Sequence, residues 1–275
     1  MASAWLRLVD VTVAEPPRTL TGFLHHEQSA AYGRITPMPH PVHLVRHGQS
    51  QWNVRRLTQG QTPHPPLTDL GRSQSAAAAE LIAEDLKDLG LAADRLVSSD
   101  LTRAAQTAAV IGRRLQLTPE SDPRLREQHL GDLEGRTYEE TWAAAEAFDW
   151  SDPTQPIAGG ESLMDLYDRM GAVLSDLDRG SVSVLVSHGD AIRSAVAYLQ
   201  GMKPHEAPWV DVPNGAVARI DDHLTWLGQR RSCLTKPFAL TQPPSPESHS
   251  SAPAQATRTS SRSPASRRCS ARMSS

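Results

Sequence analysis

The chain has 275 residues, 28 Lys and Arg against 31 Asp and Glu for a formal net charge of −3, and 39% apolar residues. Such a length allows one large domain or two small ones, and the composition supplies enough apolar side chains to build a core. Its two cysteines, Cys233 and Cys269, support neither a disulfide framework nor a thiolate metal site, which fits a reducing cytoplasm.

Residues 1–40 mix short apolar pieces with Pro16, Pro17, Pro37 and Pro39 and read as an N-terminal extension without assignable elements. Arg7, Asp10 and Glu15 interrupt it, so no secretory signal is expected. No apolar run reaches the roughly 20 residues of a membrane helix, so no membrane partner is expected. From Val42 the pattern becomes regular. Val42 to Val45 is a short apolar run before Arg46, His47 and Gly48, as in a buried strand followed by a turn. Pro63, Pro65 and Pro66 mark a loop, Thr68 or Asp69 caps a predicted helix to Leu89, and Gly90 closes it. A second strand is expected over Arg95–Ser98, then a helix from about Leu101 to Leu115 capped by Ser99 or Asp100.

Pro123 to Gly135 reads as loop with some strand, and Tyr138 to Phe148 as a helix. Apolar residues at helical spacing predict a further helix from Ser162 to about Leu177. A third strand, Val182–Val186, leads into Ser187, His188 and Gly189 and a helix from about Ala191 to Leu199. Ala216–Ile220 and Leu224–Leu227 suggest a terminal hairpin. Residues 241–275 contain 11 Ser and 5 Pro and no Leu, Ile, Val, Phe, Trp or Tyr, so they cannot bury enough surface to offset their ordering entropy. From Arg230 onward eight cationic residues face the single acid Glu247, so the rest of the chain is acidic, which argues against a nucleic-acid partner for it. The expected organisation is an extension over 1–40, one domain over 41–230 and a disordered Ser/Pro/Arg-rich tail over 231–275.

Strands alternating with helices imply an α/β fold with a mostly parallel sheet. Three strand candidates end alike, in LVRHG at 44–48, LVSSDLTR at 96–103 and VLVSHGD at 184–190. Ligands of such sheets lie beyond the carboxyl ends of the strands, so Arg46, His47, Arg103 and His188 are expected to converge there. Two guanidiniums and two imidazoles ask for an anion, and a phosphoryl group matches the forked donors best. Glycine-rich nucleotide loops and a magnesium-holding carboxylate cluster are missing from the sequence. His43 and His47 fall on a strand and its end, where they share no metal-binding face. A histidine acting directly on phosphorus remains.

The run Arg46-His47-Gly48-Gln49-Ser50-Gln51-Trp52-Asn53 closely resembles the signature of the histidine phosphatase superfamily, the phosphoglycerate mutase-like group. The resemblance continues in order through Gln59-Gly60, Pro66-Leu67-Thr68, Gly71, the segment Ser98 to Ala104, Leu125-Arg126-Glu127, Gly131, Glu134-Gly135, Gly160-Glu161-Ser162 and Ser187-His188-Gly189, and so covers about Val42 to Leu227. It implies a three-layer α/β/α sandwich and catalysis without metal or cofactor. It also implies that His47 is the nucleophile and forms phosphohistidine, that Arg46, Arg103 and His188 clamp the phosphoryl group, and that Asn53 is a further donor. Gln59 and Gly189 are expected to line the same substrate pocket, and Glu127 to be the general acid that afterwards deprotonates water.

Phosphohistidine can pass its group to water or to a second hydroxyl. Cofactor-dependent phosphoglycerate mutases of the family carry a long insertion between the acid's segment and the Gly-Glu-Ser block, whereas Glu127 and Glu161 here are 34 positions apart. A short cap leaves the crevice open to water, which favours a phosphomonoester hydrolase acting on a small phosphorylated metabolite. The alternatives are a mutase-type phosphotransferase and a non-catalytic module that binds a phospho-ligand or a partner. Tyr138, Trp142 and Trp150 read as packing aromatics more readily than as a substrate cap, and Asn214 beside Gly215 as a turn residue.

Overall fold

Side-chain alternation along three central strands decides the layering. In β1 (Val42–Arg46), Val42 and Leu44 face one way and Val45 the other. In β2 (Arg95–Ser98), Val97 and Leu96 divide likewise, and in β4 (Ser183–Ser187), Leu185 opposes Val184 and Val186. The first face packs against Leu166, Met170, Val173 and Leu174 of α5 (Leu163–Ser175) and Ile192, Ala195 and Val196 of α6 (Gly189–Leu199). The second packs against Ala78, Ala79, Ile82 and Leu86 of α2 (Asp69–Leu89) and Ala104, Ala108 and Ile111 of α3 (Thr102–Leu115). This is the expected three-layer α/β/α sandwich. Leu44, Leu185, Ile82 and Ile111 are 0% exposed, and burying each such side chain stabilises by about 1.5–3 kcal/mol.

The structure is a computed structural model and describes residues 39–207 and 210–228. The expected N-terminal extension, apart from Pro39 and His40, and the tail over 231–275 lie outside the described residues. The six strands run in the order β3-β2-β4-β1-β5-β6, with β3 (Glu120–Ser121), β5 (Val217–Ile220) and β6 (Leu224–Leu227) completing the sheet. The pairs β3–β2, β2–β4 and β4–β1 are parallel, whereas β5 and β6 form the expected antiparallel hairpin against β1. Arg46 pairs with Ser187 and Ser98 with Val186, so three neighbouring parallel strands end level with one another. The residues that follow each of them therefore meet at one edge.

The helix over 69–89 has the expected ends: the Thr68 hydroxyl accepts from the Gly71 amide, and Gly90 turns left-handed at φ 68°. Other boundaries correct the sequence expectation. The α3 cap is Leu101, with no side-chain bond, because both expected caps are engaged elsewhere: Ser99 bonds His188 and Asp100 pairs with Arg126. Residues 123–135 hold two 3-10 turns, Pro123–Leu125 and Gly131–Leu133, and no strand. The helix expected to Phe148 is α4 (Tyr138–Glu146), because Phe148 turns to pack on Trp150 at 4.7 Å. A one-turn helix, α1 (Gln51–Val54), closed by a Ser50–Asn53 capping box, had no periodicity to announce it.

Candidate active site

The turn after β1 carries His47 into the crevice, and close backbone packing fixes it there. A Cβ on Gly48 would lie 2.1 Å from the Gly71 carbonyl oxygen, so the turn and the start of α2 approach as only glycine allows. The Gly48 amide donates to Thr107 Oγ1 at 3.1 Å, and the His47 amide to the Ser187 carbonyl at 3.0 Å. His47 Nδ1 donates to the Gly48 carbonyl oxygen at 2.7 Å, which leaves the lone pair on Nε2. Burial, then the charges of Arg103 and Arg46, hold the His47 pKa well below the usual imidazole range. The ring is therefore neutral with a free Nε2.

His188 caps α6, and its ring lies edge-on to His47 with centroids 5.1 Å apart. Its Nε2 is 2.9 Å from Ser99 Oγ at the end of β2. Burial, Arg103, His47 and Arg46 lower its pKa well below the usual range as well. Arg103, 1% exposed on α3, donates to the carbonyls of Gly60 and Thr62 at 2.7 and 2.9 Å, and burial brings its pKa down to about 10. Arg46, at the end of β1, donates to the Val212 carbonyl, and burial followed by the nearby Arg193 charge lowers its pKa. Arg46 Nε, Arg103 Nε and His188 Nδ1 are buried with no hydrogen-bond partner among the described residues. Buried polar atoms left this way call for a partner, and three of them gathered at one sheet edge could be supplied by a single bound ligand.

Glu127 follows the 3-10 turn at Pro123–Leu125, and its carboxyl seats on the N-terminus of α6. Oε1 accepts from the amides of Gln128, Asp190 and Ala191, each at 3.1 Å, whereas Oε2 has one longer bond, 3.3 Å from the Asp190 amide. Burial, then the charge of Asp190, raises the Glu127 pKa against the pull of Arg46 and the helix amides. Gly189 is the first residue of that helix, and a Cβ there would stand 3.2 Å from Arg193 Nη1 and 3.6 Å from the Arg46 guanidinium carbon.

The structure thus brings Arg46, His47, Arg103, Glu127, His188 and Gly189 together. Asn53 and Gln59 form an adjoining unit through Ser50. The Ser50 amide donates to Asn53 Oδ1 at 2.9 Å, which turns the Asn53 amino group away, and the Ser50 hydroxyl donates to Gln59 Oε1 at 2.7 Å. Asn214, expected as a turn residue, also donates to the His47 carbonyl at 3.2 Å and reaches Asn53 Oδ1 at 3.5 Å. Its Asn-Gly pair signalled the turn, and nothing local signalled the contact. Trp150 donates to the Ala145 carbonyl at 2.8 Å, whereas the Arg56 guanidinium lies over both Tyr138 and Trp142, 5.3 and 5.4 Å from the ring centres. Among the described residues no helix is long and apolar enough to cross a membrane.

The family model of the histidine phosphatase superfamily (branch 1) matches residues 42–225. A probable phosphoglycerate mutase GpmB of Proteus mirabilis is 36% identical over 196 residues, 68% of this chain and 87% of that protein. A mycobacterial glucosyl-3-phosphoglycerate phosphatase solved with VO3 superposes with a TM-score of 0.58 at 32% identity, covering 68% of this chain and 96% of the other. A putative alpha-ribazole-5'-P phosphatase of Escherichia coli K-12 gives 0.56 at 28%, over 68% and 94%.

Proposed function

The chain belongs to the histidine phosphatase superfamily, and from that premise we propose that it is a phosphomonoester hydrolase that works without metal through a phosphohistidine on His47. The observation that carries this reading is the set of buried, partnerless nitrogens on Arg46, Arg103 and His188 around a neutral histidine whose Nε2 is free. A phosphoryl group supplies the acceptors those nitrogens lack. Its oxygens gain negative character as it transfers, and cations preorganised around it act most strongly at that point.

In the first half-reaction His47 Nε2 forms a bond to phosphorus while the ester P–O bond breaks. Glu127 gives its proton to the departing oxygen; the raised pKa keeps that proton available, and Oε2, the less bonded oxygen, is the atom to carry it. In the second, the Glu127 carboxylate takes a proton from water, the water oxygen bonds to phosphorus, and the P–N bond breaks to release inorganic phosphate and restore neutral His47. The Asn53 amino group, and Gln59 through Ser50, border the phosphoryl position. VO3 in the mycobacterial phosphatase's structure supports the same class of ligand here.

Water is the favoured acceptor because only the 3-10 turn Gly131–Leu133 and the nine-residue α4 form regular structure between Glu127 and Glu161, a short cap. A mutase remains the second reading, on the likeness to the probable phosphoglycerate mutase GpmB. The substrate class proposed is a small phosphorylated metabolite, met in the cytoplasm. The test is a phosphomonoester panel in chelator, with and without 2,3-bisphosphoglycerate. Hydrolysis that needs no bisphosphoglycerate supports the phosphatase; isomerisation that requires it selects the mutase, and no turnover with retained phosphate binding selects a binding module.

A further inference from the structure

One side chain distant in sequence from every motif at the strand ends reaches the backbone beneath Glu127. Arg169, on α5, is half-buried and has all five of its N–H donors engaged. Nε and Nη2 grip the two oxygens of Glu161 at 2.9 and 2.7 Å. Nη1 donates to the carbonyls of Arg124 and Arg126 at 2.6 and 2.9 Å, and Nη2 also to that of Glu127 at 3.2 Å. Glu161 extends the hold: its Oε2 accepts from the His129 amide at 2.9 Å, and its carbonyl from Gln128 Nε2 at 3.2 Å. Gln61 Nε2 adds a second donor to the Glu127 carbonyl at 3.1 Å.

The segment that Arg169 holds has no sheet or α-helical ladder of its own, since it leaves a 3-10 turn and enters a loop. Its shape is set by side-chain bonds. Three successive-turn carbonyls bound to one planar fork fix the backbone torsions on the N-terminal side of Glu127, and the Glu161 bonds fix those on its C-terminal side. The carboxyl is thereby held within reach of the amides of Asp190 and Ala191. Glu161 neutralises the guanidinium, so the fork holds backbone without adding a strong bare cation beside the acid.

We propose that Arg169, paired with Glu161, is a positioning residue for proton delivery: its five-bond clamp holds the backbone of Glu127 so that the carboxyl stays seated at the N-terminus of α6 and aimed at the leaving oxygen. This rests on the assignment of Glu127 as the acid. It predicts a selective defect, because a substrate whose leaving group departs without a proton does not need a well-placed acid.

The test compares kcat/KM for nitrophenyl phosphate, a good leaving group, with kcat/KM for a simple alkyl phosphate, in the native chain, Arg169→Met, Arg169→Lys and Glu127→Gln. Glu127→Gln should lose on the order of 10²-fold or more on the alkyl ester and far less on the aryl ester, the size usual for a general acid. Arg169→Met should show the same selectivity with about a tenfold or greater alkyl loss, and an unchanged inhibition constant for vanadate. Arg169→Lys, which offers three donors and no fork, should fall between the native chain and Arg169→Met, and serves if the Met variant does not fold. In the Glu127→Gln background Arg169→Lys should cost no further selectivity. Equal losses on both esters in the Arg169 variants, beside a selective Glu127→Gln, would overturn the positioning role alone. A non-selective Glu127→Gln would overturn the acid assignment and the positioning role with it.

Discussion

Two histidines four residues apart on and just beyond β1, both buried, keep opposite company. His43 Nε2 meets Asp85 Oδ2 of α2 at 2.8 Å, and the other Asp85 oxygen accepts from Arg219 Nη1 at 2.8 Å. Burial pushes the Asp85 carboxyl up, and the His43 bond with the Arg219 charge outweighs it, so the pKa is lowered. Around His47 the neighbours that matter are cations, Arg103 and Arg46, and its ring bonds a neutral carbonyl. A carboxylate partners His43 Nε2 in a hydrogen-bonded group with Arg219, whereas guanidiniums leave His47 neutral, with an unpaired Nε2 and a charge imbalance that an anion would correct. Burial alone therefore says little about a histidine; the sign of its neighbours decides.

The sharpest way to break this contrast is to remove each ring in turn. His47→Ala should lose about 10⁴-fold or more in kcat, the scale on which nucleophile deletions act, without a matching fall in Tm. His43→Leu should do the reverse: kcat within about threefold, and stability down by about 1–3 kcal/mol because Asp85 loses a buried partner, read by denaturant melts. A large rate loss in the His43 variant would erase the distinction between the two.

Next in size, Arg103→Met should cost on the order of 10²–10³ in kcat, as loss of a preorganised donor does. It should also raise the pKa of His47, because the second largest cause of its depression is then gone. NMR titration of the His47 ring checks the direction, and an unmoved ring would contradict the electrostatic account.

The smallest effect tests how the acid is tuned. Asp190→Asn removes the charge that, after burial, most raises the Glu127 pKa. That pKa should fall, so the alkaline limb of kcat/KM, where the protonated acid is lost, should move to lower pH. A limb that stays in place would show that Asp190 does not tune Glu127.

What was legible in the sequence follows from how local each cause is. Strands β1, β2 and β4 are short apolar runs, and the residues that end them lie within a few positions in sequence, so the sequence alone places Arg46, His47, Arg103 and His188 at one edge. Thr68 and Gly90 bound α2 by local hydrogen bonding and a positive φ. The α3 cap was misplaced because Ser99 and Asp100 have partners 89 and 26 positions away, at His188 and Arg126. Arg169 was invisible for the same reason: its carbonyl acceptors are 42 to 45 positions off, and an arginine on the polar side of an amphipathic helix looks like any solvated one. Asn214 reaches the His47 carbonyl across 167 positions.

The central claim is a covalent bond between phosphorus and His47 Nε2. Turnover of a phosphomonoester, stopped in strong base and analysed by peptide mass spectrometry, should show one phosphoryl group on His47, stable in alkali and lost in acid. Phosphate on a serine, or none on His47 during steady turnover, would contradict it.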